Sequence, residues 1–424
     1  MPDGWAWCRI TAVSSEIFAG GDKPDIFSKD KTSICCVPIY SNGIENYGLY
    51  GYTNKARVTS PSLTISARGT IGFCCIREEP FVPIIRLITI VPSKINLLYL
   101  KFVFEDLIET GEGSSIPQLT VPGIKPKLIP VPPLKEQMRI ASKTNSLFNV
   151  LAEIESNVES VNVLIAITKS KILDLAIQGK LVPQDPNDEP ASVLIERIRA
   201  EKEELIKQGK IKRDKKESVI FKGDDNSYYL NKDGQSVDIG DDIPFDIPNS
   251  WEWTLLGNIV QLNPRNKISD DMEVSFVPMP LIDDGFSGNH VSEIRKWNDV
   301  KTGFTHFAEG DIGVAKITPC FENRKSTVFN NLCNGYGAGT TELHILRTYA
   351  DTISHKFLLF FVKTDFFIQA GKQTFSGAVG QQRIGKEYIS NSLFPLPPLA
   401  EQKRIVNTIE ALFAQIDKIA EQIS

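Results

Sequence analysis

Pro130-Val-Pro-Pro-Leu-Lys-Glu-Gln-Met-Arg-Ile140 returns as Pro395-Leu-Pro-Pro-Leu-Ala-Glu-Gln-Lys-Arg-Ile405, with eight of the eleven positions identical. Three prolines in this order hold the backbone extended and keep a helix from running through them. The Leu-x-Glu-Gln that follows opens a helix, its acid facing the positive end of the dipole. The likeness continues in Ser146-Leu-Phe148 and Ala411-Leu-Phe413. A second landmark stands upstream of each copy: Pro2-Asp-Gly-Trp5-Ala-Trp7 and Pro248-Asn-Ser-Trp251-Glu-Trp253. The chain is one unit written twice, each a module that runs into a helix.

The helices declare their packing through their apolar stripes. After the first motif the stripe is Ile154, Val158, Val161, Ile165, Ile172 and Leu175; after the second it is Ile405, Ile409, Leu412, Ile416 and Ile419. Such a seam predicts a helix packed on another helix. Between their landmarks the modules differ in sequence. Residues 30–105 and 251–348 are rich in Val, Ile, Tyr, Thr and Gly with short turns, such as Ser41-Asn42-Gly43 and Arg68-Gly69-Thr70, and both read as mixed α/β. A charged stretch from Arg197 to Lys216 reads as an exposed helix ending in a basic run, and 217–247 reads as a polar connector.

With 424 residues, at least two domains are expected. The apolar and charged shares, 42% and 23%, are those of an ordinary globular protein. No apolar run approaches the roughly 18 residues that span a bilayer. The start, MPDGWAWCRI, lacks the pattern of a signal peptide, so a cytoplasmic protein is expected. Seven cysteines without a CxxC, and with no metal-site spacing to histidine, read as reduced thiols. A net charge of −5 excludes a chain coated in basic residues but leaves room for a local basic face.

Catalytic patterns fail on inspection. Gly380-Gln-Gln-Arg-Ile-Gly385-Lys386 has the spacing of a phosphate loop, but Glu387 stands where a Mg²⁺-binding hydroxyl belongs. Asn263-Pro-Arg-Asn266 lacks the second proline and the aromatic of a base-flipping methyltransferase loop. There is no GxGxxG, and His290, His306, His344 and His355 lie far apart, as packing or surface residues do. The chain reads as a binder.

Two kinds of segment suit nucleic acid. In each module a β-like run ends in a basic residue among small ones: Ser66-Ala-Arg68-Gly69-Thr70-Ile-Gly72, and Val314-Ala-Lys316-Ile-Thr318-Pro319 with Arg324 and Lys325 close behind. Such residues suit phosphate contacts and guanine readout; the plainer reading is a turn with a solvated base. In each module a polar stretch bearing glutamine also precedes the proline motif. These are Gly113-Ser-Ser-Ile-Pro-Gln118 and Ser376-Gly-Ala-Val-Gly-Gln381-Gln382-Arg383. Glutamine pairs with adenine through two bonds; the plainer reading is a turn with a satisfied amide. Gly335-Tyr-Gly-Ala-Gly339-Thr-Thr341 either lets backbone approach a ligand or is only a tight loop.

The doubled PxPPLxEQxRI motif resembles the boundary between recognition domain and conserved helix in specificity subunits of type I restriction–modification enzymes. Leu173–Ser192 resembles the end of that family's central helix and the turn after it; Phe304–Asn323 and Gly337–Leu343 resemble one type of its recognition domain. The resemblance implies an α+β chain: two mixed α/β target-recognition domains separated by long conserved helices that form an antiparallel coiled-coil pair. The corresponding division is 1–133 and 248–398 for the recognition domains, 134–216 for the central helical region, 217–247 for the connector and 399–424 for a short second helix. It further implies a non-catalytic subunit that reads a split, asymmetric site in double-stranded DNA, one half per domain. Two methyltransferase subunits and restriction subunits are the implied partners. S-adenosylmethionine, ATP and Mg²⁺ would act on those partners, with no cofactor in this chain. A central helix from Leu134 to Gln178 would be roughly 67 Å long, about two turns of DNA at ~34 Å each. The alternative reading is a protein-interaction scaffold built from the duplicated unit.

Overall fold

The computed structural model describes residues 1–108, 111–112, 118–213, 218–232, 234–349, 352–378 and 380–423. It divides into two compact units, Met1–Ser156 and Asn157–Ser424. The division falls inside a single helix, Leu134–Ile177, whose 44 residues extend about 66 Å.

In the first unit, Ser14–Ala19, Ile88–Pro92, Ser62–Ile65 and Cys74–Arg77 form an antiparallel sheet in that spatial order. Ser62–Ile65 is buried on both faces, so it carries small or apolar side chains and Thr64 rather than alternating charges. Val37–Tyr40 pairs with Leu49–Thr53 antiparallel and with Val82–Pro83 parallel. Ala6–Arg9 pairs with Leu128–Val131, setting Trp7 opposite Pro130. The core joins Ile10, Leu63, Ile65, Ile88 and Ile90 to Leu100 and Phe104 of the helix Leu97–Leu107. Each such side chain contributes about 1.5–3 kcal/mol when fully buried.

The second unit repeats this plan. Val260–Leu262, Leu343–Thr348, Ile312–Ala315 and Ser326–Val328 form the four-stranded antiparallel sheet in the same order. Glu273–Val277 again has an antiparallel neighbour, Glu293–Lys296, and a parallel one, Tyr336–Gly339; Thr305–Ala308 extends the sheet. Glu252–Leu255 pairs with Leu393–Leu396, setting Trp253 opposite Pro395 as Trp7 stands opposite Pro130. The core is rich in phenylalanine, with Phe357, Phe361, Phe367 and Phe394 in edge contacts.

The second long helix, Leu399–Ile423, packs antiparallel on the last turns of Leu134–Ile177. Ile172, Leu173 and Ala176 share a core with Ile405, Val406, Ile409 and Phe413; Lys169 pairs with Asp417 and lies over the Phe413 ring. The expected seam is therefore covered only toward the end of the first helix: Val158, Val161 and Ile165 are half-buried and Ile154 is exposed. That helix stops at Gly179, whose φ of +67° and the bond from Lys180 N–H to the Leu175 carbonyl make a left-handed cap.

Two stretches differ from the sequence expectation. The charged helix begins at Ala191, not Arg197, and buries Leu194 and Ile198. The stretch read as a polar connector contains an antiparallel meander, Ser218–Lys222, Tyr228–Lys232 and Gln235–Asp238. Its Ile220, Tyr228 and Leu230 pack on Trp253, which gives this polar sequence a reason to form strands.

The glutamine of the repeated motif explains its own recurrence. Gln137 Oε1 accepts the Asn96 N–H at 2.8 Å while its Nε2 donates to the Pro132 carbonyl at 2.8 Å. Gln402 does the same with Ser354 N–H at 2.8 Å and the Pro397 carbonyl at 3.0 Å. Asn96 and Ser354 are the N-caps of Leu97–Leu107 and His355–Val362. A side-chain amide accepts and donates through separate atoms, so this residue ties the proline turn, the long helix and the module helix together. Gln402→Ala leaves two backbone groups unpaired and is expected to cost about 2–6 kcal/mol at ~1–3 kcal/mol per buried group. Lys403→Ala next to it should stay within ~0.5 kcal/mol. Urea unfolding measures both, and equal effects would refute the role given to the amide.

Candidate nucleic-acid interface

In each unit the two segments singled out in the sequence come together. In the first, the turn after Ser62–Ile65 carries Arg68, Gly69 and Thr70, and Leu119 N–H donates to the Ala67 carbonyl at 3.3 Å. Exposed Arg68 donates from Nη2 to Gln118 Oε1 at 3.1 Å. Gly69 has a φ of +70° and would meet nothing with an added Cβ, so it serves the turn's backbone and not packing. Thr70–Ile71 pairs with Gly111–Glu112. Thr70 Oγ1 is closed off from solvent and has no hydrogen-bond partner among the described residues. Residues 113–117 of the first polar stretch lie outside the described residues. Asn42, read only as part of a turn, clamps this loop: its Oδ1 accepts from Ala67 N–H at 2.7 Å and its Nδ2 donates to the Ile85 carbonyl.

The second unit also straps its turn, through a different set of bonds. Thr318 N–H donates to the Gln382 carbonyl at 2.9 Å, Gln382 N–H donates to Thr318 Oγ1 at 3.2 Å, and Ile384 N–H donates to the Lys316 carbonyl at 3.0 Å. The stretch 380–384 thus straps across the turn at 316–318, which is why its phosphate-loop spacing forms no phosphate loop. Gln381 is exposed, and half-buried Lys316 makes no ion pair among the described residues.

The other basic candidates are held internally. Arg383 grips Glu342 through Nε at 2.9 Å and Nη2 at 3.0 Å, and donates from Nη1 to the Gln381 carbonyl. These bonds hold the Glu342 carboxyl below its usual range against a smaller opposing effect of burial. Arg324, at a φ of +54°, donates to the Lys363 carbonyl, pairs with Asp365 and lies over the Phe286 ring. Lys325 pairs with Asp284 at 3.5 Å. Buried Lys363 donates to the carbonyls of Gly285 and Arg324, and its ammonium is pushed down to about 7 by burial. Arg324 and Lys325 therefore brace the base of the hairpin, while Arg68, Gln118, Lys316, Thr318 and Gln381–Arg383 make up the two tips. The acids that sort these bases, Glu342, Asp365 and Asp284, were not anticipated. Only Glu342, beside the Gly-rich Gly337–Thr341, stood near a stretch the sequence singled out.

Asn263-Pro-Arg-Asn266, half like a methyltransferase loop, is a structural clasp. Asn263 Oδ1 accepts from Ile345 N–H, and Arg347 bridges Asn266 and buried Asp311. Among the described residues no cluster of His, Cys, Asp or Glu is placed to hold a metal, and no helix is long and apolar enough to cross a membrane. All seven cysteines are free.

In each unit a strapped turn stands on the same frame of paired end strands. Residues 13–161 and 248–424 match the family described as Type I restriction modification DNA specificity domain, and the chain belongs to that family. It is 48% identical over 252 residues to the type I restriction enzyme EcoAI specificity subunit of Escherichia coli, covering 59% of this chain and 40% of that protein. The EcoEI specificity subunit of Escherichia coli is 45% identical over 252 residues, 59% of this chain and 39% of the relative. The chain thus spans about two fifths of the curated relatives it matches. Its fold is that of the HsdS subunit from Thermoanaerobacter tengcongensis, at a TM-score of 0.51 and 16% identity over 100% of this chain and 91% of that one. A chain from a structure on assembly and conformational transition of the type I R-M system matches at a TM-score of 0.58, with 15% identity and coverage of 100% and 93%.

The strap has a testable pH signature. A carboxyl whose value is lowered by folding stabilises the fold above its ordinary value near ~4.3 and loses that contribution as pH falls through its folded value. Glu342→Gln is expected to cost at most ~1 kcal/mol near neutral pH, since the pair is partly exposed. In urea unfolding the gap between wild type and variant should close toward about pH 3; a gap that widens on acidification contradicts the pairing.

Proposed function

We propose that this chain is the DNA-specificity subunit of a type I restriction–modification complex, each unit reading one half of a split, asymmetric site in double-stranded DNA. The observation that carries the reading is the pair of tips: in each unit a turn at a strand end is strapped by the polar stretch that precedes the proline motif, with Arg68 and Gln118 on one and Lys316, Thr318 and Gln381–Arg383 on the other. The same placement with different side chains suits two half-sites of unlike sequence, because base edges are read by side chains while the frame sets register.

The long helix supports docking of two methyltransferase subunits and, through the assembled complex, of restriction subunits. Leu147, Phe148, Leu151 and Ile154 in the first unit, and Val163, Leu164 and Ile167 in the second, are all more than half exposed. Apolar side chains left open in this number mark an association surface. On this reading the chain performs no chemistry. Adenine methylation with S-adenosylmethionine, and ATP- and Mg²⁺-dependent cleavage, belong to the partners.

In the complex assembled with methyltransferase subunits, Arg68→Ala and Lys316→Ala are each expected to weaken salt-sensitive binding to the cognate site by about tenfold. Fluorescence anisotropy over a salt series measures this. Unchanged affinity and salt slope in both variants would leave a protein-interaction scaffold as the better account.

A further inference from the structure

Beside the first tip the chain turns a corner, Ile84-Ile85-Arg86-Leu87, between Val82–Pro83 and Ile88–Pro92. Leu87 N–H donates to the Ile84 carbonyl at 3.0 Å, and both central residues are left-handed, Ile85 at a φ of +51° and Arg86 at +60°. Asn-Gly or Gly-Gly suits such a turn, because other side chains crowd the backbone there. A β-branched residue in that region is a genuine outlier. Yet no packing asks for these two side chains. Ile85 is 47% exposed, and exposed Arg86 makes no ion pair or side-chain hydrogen bond among the described residues.

The strain is held from behind. Ile85 N–H donates to the Gly21 carbonyl at 2.8 Å, Arg86 N–H to that of Gly20 at 3.1 Å, and Gly20 N–H to that of Leu87 at 2.8 Å. A Cβ at Gly20 would come within 2.7 Å of Ile84 N, so glycine stands in the support and not in the corner it supports. The corner is also tied to the tip. Asn42 reaches both, donating from Nδ2 to the Ile85 carbonyl at 2.6 Å while its Oδ1 accepts from the N–H of Ala67, next to Arg68. Asn46 and Tyr47, left-handed at +47° and +54°, follow in the same loop. Strained residues gathered in this way persist where the surroundings over-determine them, and they cluster at ligand-contacting sites. In the second unit the corresponding corner, 340–342, also joins a parallel strand to an inner strand and abuts its tip: Lys316 N–H donates to the Glu342 carbonyl at 3.0 Å.

We propose that Ile85 and Arg86 are specificity-determining residues of the first half-site, an inference that rests on the DNA recognition proposed above. Arg86 offers an uncommitted fork of donors, the group that pairs with O6 and N7 of guanine. Ile85 offers a compact apolar surface of the kind that meets the methyl group of thymine. The Asn42 clamp fixes the backbone of this corner against that of the turn carrying Arg68, so the two arginines are presented as one surface. Asn-Gly would close the same corner with less strain and would carry neither group. The left-handed pair is therefore kept for what its side chains touch and not for the fold.

The test compares the full chain with the double variant Ile85→Asn, Arg86→Gly and with the single variants Ile85→Ala and Arg86→Ala. The probes are the cognate duplex, identified by methylation mapping, and duplexes with each base pair of the two half-sites replaced in turn. Binding is measured on the complex assembled with methyltransferase subunits, and urea unfolding on the chain alone. The double variant is expected to unfold at higher urea than wild type, yet to bind the cognate duplex about tenfold more weakly. Its discrimination should be lost within one half-site only, at a G·C pair for Arg86→Ala and at an A·T pair for Ile85→Ala. Undiminished discrimination in all three variants overturns the proposal. So does a uniform loss across every duplex with a shallower salt slope, which would make Arg86 a phosphate contact. A double variant that unfolds at lower urea overturns it as well, since the residues would then serve the fold. Arg68→Ala, measured alongside, separates this inference from the reading beneath it. If Arg68→Ala weakens binding while the corner variants leave discrimination intact, only this inference falls; if none of the variants changes binding, both fall.

Discussion

The buried amide of Gln137 in one unit and Gln402 in the other holds together three things that must not move relative to each other. It accepts from the cap of the module's own helix and donates to the proline turn from which the long helix departs. The prolines keep the turn extended, so the helix can begin only after them. With both ends of the amide engaged below the surface, the angle at which each module leaves its helix is fixed by a side chain with no freedom to rotate. The strand at each unit's start reinforces this by pairing with the strand just before the prolines. On the proposed reading each module depends on such a joint, because play in it would blur how its own tip is presented.

Upon this constant joint the tips diverge. Both are a turn at the end of a strand buried on both faces, strapped by a segment that returns just before the module closes. In the first unit an exposed arginine leans on a glutamine; in the second an arginine is turned back onto Glu342 and the lysine is left open. The acids therefore matter as much as the bases. At the second tip Asp365, Asp284 and Glu342 engage Arg324, Lys325 and Arg383, and Lys316 alone of these bases makes no ion pair among the described residues.

Much of this was legible in the residues because it rests on local chemistry. Proline runs, helix-opening acids and a doubled Trp-x-Trp act within a few positions, and each kept its predicted place. The sheet order was not legible: Ser62–Ile65 lies between Ile88–Pro92 and Cys74–Arg77, a pairing set by burial across the whole module. The meander of 218–238 was hidden for a related reason. Its Gly-Asp-Asp turns and mixed polarity suit a solvated linker, and only the Trp253 surface makes its few apolar residues sufficient to order it. Arg324, Lys325 and Arg383 look like phosphate ligands in sequence because their carboxylates come from 41 residues away in either direction across the fold. Charge pairs of that range leave no periodicity to read.

The central claim is that a constant frame carries two independent readers. Exchanging residues 1–133 for the equivalent module of another family member, in cells that supply the partner subunits, and mapping genomic adenine methylation tests it most directly. The account predicts a new sequence in one half of the methylated motif, with the other half and the spacing between them unchanged. A motif altered in both halves, or one that does not change at all, would contradict it.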